Sequence, residues 1–346
     1  MPAAIIPTGV YEAMPSWLLW IFLIVALRFL AYGADRLVSG AVRLAGALGI
    51  STVIVGATIV SLGTTTPEAF VSVAAAFRGE PGLALGNGVG SIICDTALIF
   101  GLCCVITRLP LDRFVLYRQG VLKLATGGLL VITVFLLALA HGGLKGVVIP
   151  RLVGIVYLLL LAGYMYLSVR WTRSRPEILP EEARQLAPPE RHRLGSGTVN
   201  LLMLIDGLAV IYVTSDLLIG SVTHLCTRYH VPASVLAVTV VAFGTSLPEL
   251  VTALAAIAKG HPELLIGNVI GADILNVLFV IGASAAAVPL EVHPTFFFLH
   301  LPVMVVAIGL MGVYIFTSGK TFSRWQGLTL LAVYVTYLVL ISRYVV

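Results

Sequence analysis

The pentad Thr64-Thr65-Thr66-Pro67-Glu68 lies inside an apolar run and recurs as Thr245-Ser246-Leu247-Pro248-Glu249, 181 positions later. The same offset carries Gly86-Asn87 onto Gly267-Asn268, Gly90 onto Gly271, Asp35 onto Asp216 and Pro81 onto Pro262, without a gap from Asp35 to Gly101. The chain is therefore a duplication. Both copies place an ionisable residue beside a proline within apolar sequence, where a carboxylate is costly and usually marks a substrate or ion pathway.

Composition says where those glutamates lie. Hydrophobic residues make up 59% of the 346, charged residues only 11%, and mean hydropathy is +1.04. A soluble domain carries roughly 25% charged residues. Apolar stretches of roughly 20 residues recur along nearly the whole length, enough for about ten spans. The expected fold class is an all-α polytopic membrane protein, since a β-barrel would show short alternating segments instead. The net charge of +5 places arginines in loops facing anionic lipid. Nucleic acid is not an expected partner, because no basic stripe with interleaved aromatics exists. Cys94, Cys103, Cys104 and Cys226 have no zinc spacing with the seven histidines and read as small buried residues. The first 14 residues lack a basic n-region, so a retained first helix is expected from Trp17 onward.

Spans are expected near 15–40, 50–79, 82–106, 114–140 and 147–172, then 197–224, 231–260, 262–287, 295–317 and 322–343. That divides the chain into a first five-helix repeat, 1–172, with its motif at 58–101, and a second, 197–346, with its motif at 239–282. The segment 173–196, with Pro176, Pro180, Pro188 and Pro189 among alternating charges, reads as a cytoplasmic linker. Five spans per repeat is an odd number, so the two copies enter the membrane in opposite directions, the inverted-repeat plan of many secondary transporters. Lysine and arginine are concentrated on the linker side (Arg36, Arg43, Arg108, Arg113, Arg118, Lys259, Lys320 and Arg324, besides the linker's own), which puts both termini outside.

Pro67 has no amide hydrogen, so the carbonyl of Gly63 loses its helical partner, and Pro248 does the same to Gly244. Broken helices are thus expected at the centre of each repeat, and freed carbonyls at membrane depth persist only where they line a cavity or bind something. Glu68 shares a helical face with Thr64 and Thr65, as Glu249 does with Thr245 and Ser246. The next spans open with Gly86-Asn87-Gly88-Val89-Gly90, where Asp95 follows Ser91 at i, i+4, and with Gly267-Asn268-Val269-Ile270-Gly271, which carries Asn276 four past Ala272. Carboxylates, hydroxyls, a carboxamide and free carbonyls are oxygen ligands, suited to hard cations such as calcium and sodium. Either glycine motif alone is equally well read as helix packing. The two glutamates, each after a proline and each paired with a Gly-Asn-x-x-Gly span, are not.

These residues resemble the two α-repeats of the calcium/cation antiporter superfamily, most closely its prokaryotic sodium/calcium exchangers. The resemblance implies ten transmembrane helices in two inverted five-helix repeats, with ion sites between spans 2, 3, 7 and 8. It implies ligands at Thr64, Thr65, Glu68, Ser91 and Asp95, at Thr245, Ser246, Glu249 and Asn276, and at the backbone carbonyls of Ser61 and Ala242. It further implies no enzymatic activity and no cofactor, calcium and sodium being bound as substrates by a monomer in a prokaryotic inner membrane. The chain departs from the family's Ser-Asn-Ile signature, reading Ser91-Ile92-Ile93-Cys94-Asp95 in one copy and Ala272-Asp273-Ile274-Leu275-Asn276 in the other. Ala272 deletes a hydroxyl. Asp273 adds a carboxylate roughly 100° round the helix from it.

Among the other charges, Arg28 and Asp206 lie mid-span in repeat-equivalent helices and are expected to pair. Asp35 and Asp216 are expected at helix ends. The transport reading is exchange of calcium for sodium by alternating access. Cation/proton exchange is its alternative, since a buried glutamate can carry a proton, and a cation channel stands further off. No HExxH, nucleophile elbow or His-rich metal set points to an enzyme.

Overall fold

The computed structural model describes residues 8–48, 52–77, 79, 81–110, 113–173, 194–229 and 246–344. Thr245, Ala242, residues 174–193 of the expected linker and the first half of the expected span 231–260 lie outside them, and helix runs into both ends of the linker, to Arg173 and from Leu194. A short α1 (Thr8–Ala13) leads into α2 (Ser16–Leu48). The next span is a bent pair, α3 (Thr52–Thr66) and α4 (Glu68–Phe77), with 42° between them at Pro67. Then come α5 (Pro81–Ile106) and α6 (Arg113–His141), strand β1 (Val147–Ile149) and α7 (Arg151–Arg173). The second half has α8 (Leu194–Arg228), α9 (Leu247–Ala258) and α10 (Pro262–Ala287), strand β2 (Leu290–Val292), α11 (Phe296–Thr317) and α12 (Arg324–Tyr344). Among the described residues seven helices, or up to eight counting the bent pair, are long and apolar enough to cross a membrane.

The break at Pro67 follows from local chemistry. Its ring removes one backbone hydrogen bond and crowds the preceding turn, and Gly63 offers no side chain to stiffen it. In the second copy Pro248 stands in the first turn of α9, where a missing amide costs nothing.

α5 and α10 are the central helices. Their apolar windows are 72% and 94% buried inside the protein, whereas those of α2, α6, α7 and α12 are less than a third buried and face outward. Small residues let α10 approach α3 backbone to backbone: a side chain at Gly267 would strike Val53, and one at Gly271 would strike Ala57 and Ser61. Both second-copy glycines therefore do have a packing role. Gly267→Ala is expected to lower stability by about 1–3 kcal/mol through overpacking, measured as a fall in the thermal midpoint of the purified protein.

Three pairs of helices at matching positions of the two copies pack antiparallel, α2 with α8, α5 with α10 and α6 with α11. Arg228 of α8 meets Tyr11, Glu12 and Ser16, whereas Gly40, further along α2, meets Asn200 and Leu204. In α5 and α10, Gly88 meets Ile281 and Thr96 meets Asp273. In α6 and α11, Gly120 meets Ile315 and Gly127 meets Ile308. Loops pair across the copies as well: β1 with β2 as an antiparallel ribbon in the register Val148↔Glu291, and Pro110 with Thr321.

Two expectations about charges need correcting. Asp206 pairs with Arg36 at 3.1 Å, not with Arg28, which is exposed. The antiparallel crossing sets Gly33 against Gly207, so position 206 lies level with the turn after Gly33, about two turns beyond Arg28. Asp35 and Asp216 lie within α2 and α8 rather than at their ends, because no proline stops α2 before Leu48 or α8 before Arg228. Asp35 forms an ion pair with Lys259. The side chain of Asp216 lies outside the described residues.

Candidate ion-binding site

Four elements converge at the middle of the bundle. Glu68 opens α4 directly after the bend, Glu249 lies in the first turn of α9, and Asp95 and Asn276 sit in the central helices α5 and α10. All four side chains are 1% exposed. The start of α9 is also favourable for a negative charge, since its amide dipoles point there.

Asp95 and Asn276 fall at the beginning of π-helical segments, Cys94–Phe100 and Asn276–Ile281. A π-turn inserts one extra residue and re-aims the side chains around it, a distortion found most often at functional sites. Across the gap the Asn276 amide donates to Asp95 Oδ2 at 3.4 Å. Thr65 Oγ1 donates to Glu249 Oε1 at 3.5 Å, and Thr64 Oγ1 lies 3.3 Å from the Ser61 carbonyl and 3.4 Å from Asn268 Oδ1. The charges of Glu249 and Asp95 act on Glu68, and the Ser246 hydroxyl lies beside Asp95.

One oxygen on each of these groups is left over. Among the described residues, Glu68 Oε2, Glu249 Oε2, Asp95 Oδ1, Asn276 Oδ1, Ser91 Oγ and Ser246 Oγ are buried without a hydrogen-bond partner. Buried polar atoms are normally satisfied, and three like charges in one cavity repel each other. A bare hard cation would meet both needs. Among the described residues no three His, Cys, Asp or Glu side chains form a metal-holding group by themselves. Hydroxyl and amide oxygens must complete the shell, as calcium's six to eight ligands would require.

The structure thus brings together Ser61, Thr64, Thr65, Glu68, Asp95, Ser246, Glu249 and Asn276, with Ser91 buried in the same central helix as Asp95; Thr245 and Ala242 lie outside the described residues. The asparagines of both Gly-Asn pairs have uses that the sequence reading did not assign. Asn87 donates to the carbonyl of Glu68 at 3.3 Å and to Ser72 at 2.9 Å, holding α4 against α5, while Asn268 accepts from Thr64. Asp273 does not turn into the site: it pairs at 2.6 Å with Lys123 of α6 and accepts from Thr96 at 2.6 Å. Lys123 escaped notice, although a lone lysine inside an apolar span is itself a signal. Cys94, Cys103 and Cys104 are buried free thiols.

A bent helix, a helix starting at a second proline and two distorted central helices, gathered around unsatisfied buried oxygens, define a membrane cation transporter. Comparison with known proteins agrees. A family model described as sodium/calcium exchanger protein matches residues 18–170 and 199–343. An uncharacterized membrane protein of Methanocaldococcus jannaschii is 31% identical over 319 residues, covering 91% of this chain and 95% of its own. The sodium/calcium exchanger MaX1 of Methanosarcina acetivorans is 28% identical over 343 residues, covering 93% and 98%. The solved sodium-calcium exchanger NCX_Mj, in a crystal soaked with Na+ and zero Ca2+, superposes with a TM-score of 0.77 at 25% identity, covering 93% of this chain and 98% of that one. The chain belongs to the sodium/calcium exchanger protein family, in the prokaryotic branch of the calcium/cation antiporter superfamily. It is a cation antiporter of a family of transporters.

Proposed function

We propose that this antiporter exchanges calcium for sodium by alternating access, from a single oxygen-lined centre formed by Thr64, Thr65, Glu68, Ser91 and Asp95 on one side and Thr245, Ser246, Glu249 and Asn276 on the other. The carbonyls of Ser61 and Ala242 complete it. The observation that carries this reading is the set of buried oxygens on Glu68, Glu249, Asp95 and Asn276 that have no partner among the described residues. Three carboxylates attract either one divalent ion or several monovalent ones, so the two species compete for one place. Competition for a shared site is what couples their opposite movements. The test is calcium uptake into proteoliposomes with sodium, potassium and proton gradients imposed separately. Uptake driven by an outward sodium gradient supports the reading; uptake that follows only the proton gradient replaces it with cation/proton exchange.

The architecture proposed for this cycle is ten helices in two inverted repeats, joined by a cytoplasmic linker at 173–196, with both termini outside. Antiparallel packing of α2 with α8, α5 with α10 and α6 with α11 supports it, as does the pairing of β1 with β2, which such threading places on one face. Rigid movement of one half against the other would then open the centre to either side. Single cysteines at positions 8 and 145 are expected to react with an impermeant maleimide from outside, and one at 182 only from the cytoplasm. Equal access of 145 and 182 from one side rejects the inversion.

A further inference from the structure

Lys123 has no counterpart in the other copy. At the offset of 181 its place is taken by Met304, that of Thr96 by Val277, and that of Asp273 by Ile92. The cluster therefore adds to the asymmetry of the centre, where Asp95 already faces Asn276 and Ala272 stands in the place of Ser91. The lysine and aspartate side chains are both 2% exposed. The ammonium lies 2.6 Å from Asp273 Oδ2, 2.7 Å from Thr96 Oγ1 and 2.7 Å from Met311 Sδ. Two oxygens, one of them anionic, and a thioether sulfur thus surround it, and the oxygens are the kind of ligand a dehydrated sodium ion takes.

The cluster adjoins the ion site without entering it. Thr96 directly follows Asp95, Asp273 lies three residues before Asn276, and the charges of both Lys123 and Asp273 act on Asp95. Without the ammonium, the centre would border a fourth buried carboxylate whose Oδ1 is already unpartnered among the described residues. A buried carboxylate that loses its cation is strongly destabilised until another cation or a proton neutralises it. In an ion-binding cavity the available replacement is a transported ion.

We propose that Lys123 is a tethered monovalent cation that neutralises Asp273 and so keeps the number of mobile sodium ions held by the centre one lower than its three carboxylates and the bordering Asp273 would together take. The inference rests on the centre binding sodium, and not on calcium being the ion exchanged. It makes Lys123 a determinant of coupling ratio, placed in the wall of the site and fixed to the chain.

The experiment counts radioactive sodium bound at saturation to the purified full-length protein. Lys123→Met is expected to bind one more sodium ion per chain than the parent, and Lys123→Met with Asp273→Asn to return to the parental number. An unchanged count in folded Lys123→Met overturns the proposal, whatever ion proves to be exchanged. Should Lys123→Met fail to fold, Asp273→Asn reads the same charge from the other side. It leaves the ammonium uncompensated beside Asp95, so sodium affinity is expected to fall on the order of tenfold or more, and the double variant to restore it. Parental affinity in Asp273→Asn overturns the proposal equally. Sodium-driven calcium uptake by the parent, measured alongside, reports on the exchange reading alone.

Discussion

Glu68→Gln and Glu249→Gln are each expected to abolish sodium-driven calcium uptake while leaving the protein folded. Glutamine has nearly the volume of glutamate, so the packing around α4 and α9 survives. What it lacks is the charge, and it can present an amide hydrogen where an oxygen lone pair faced the ion. A unit charge about 4 Å from an ion is worth about 4 kcal/mol per unit of ion charge in surroundings of effective dielectric 20. Even half that value for a divalent ion weakens binding by about a thousandfold. Stability shifts in the opposite sense from activity. In cation-free buffer either variant should melt no lower than the parent, because one of three mutually repelling carboxylates has gone, whereas added calcium should raise the parent's midpoint and not the variant's. Near-parental uptake by either folded variant removes the two glutamates from the transport site.

The glutamates were legible in the sequence because duplication gives an internal comparison. A Pro-Glu pair at one place in an apolar run is an oddity; the same pair after an identical interval, with Gly-Asn following in both copies, is a constraint that packing alone does not impose. The bend at Pro67 was legible for a local reason, the loss of an amide hydrogen. The π-turns at Cys94–Phe100 and Asn276–Ile281 were not. No residue type in Cys94-Asp95-Thr96 announces them. The Arg28–Asp206 pairing failed on register: which turn of α2 meets which turn of α8 is decided by the close approach of Gly33 and Gly207, and charge spacing along each helix says nothing of it. Asp273 is the instructive case. Its sequence position put it one residue from the expected hydroxyl, but its partner Lys123 comes from a helix 150 residues earlier, and only the packed structure joins them.

Asp95→Asn is expected to weaken calcium transport by about a hundredfold or more, and the added change Asn276→Asp to recover part of it. Asp95 and Asn276 face each other from the two central helices, at the same position of the two copies, with the amide donating to the carboxylate and one oxygen on each unpartnered among the described residues. The pair supplies a single negative charge, and reversing it moves that charge across the gap without changing the total. Asp95→Asn removes the charge outright, and the Coulomb estimate used for the glutamates then applies at a somewhat greater range. Recovery in the double variant should be incomplete, because the two positions are not equivalent here: the ion pair of Lys123 with Asp273 borders Asp95, and its counterpart positions carry Met304 and Ile92. Asn276→Asp alone should place four uncompensated carboxylates in the centre and favour calcium retention over release, slowing turnover at saturating calcium. Initial rates of calcium uptake across a calcium titration, for the parent and the three variants, separate these outcomes. Parental transport by folded Asp95→Asn would take this residue out of the site, and a double variant no better than Asp95→Asn would show that the location of the charge matters as well as its sum.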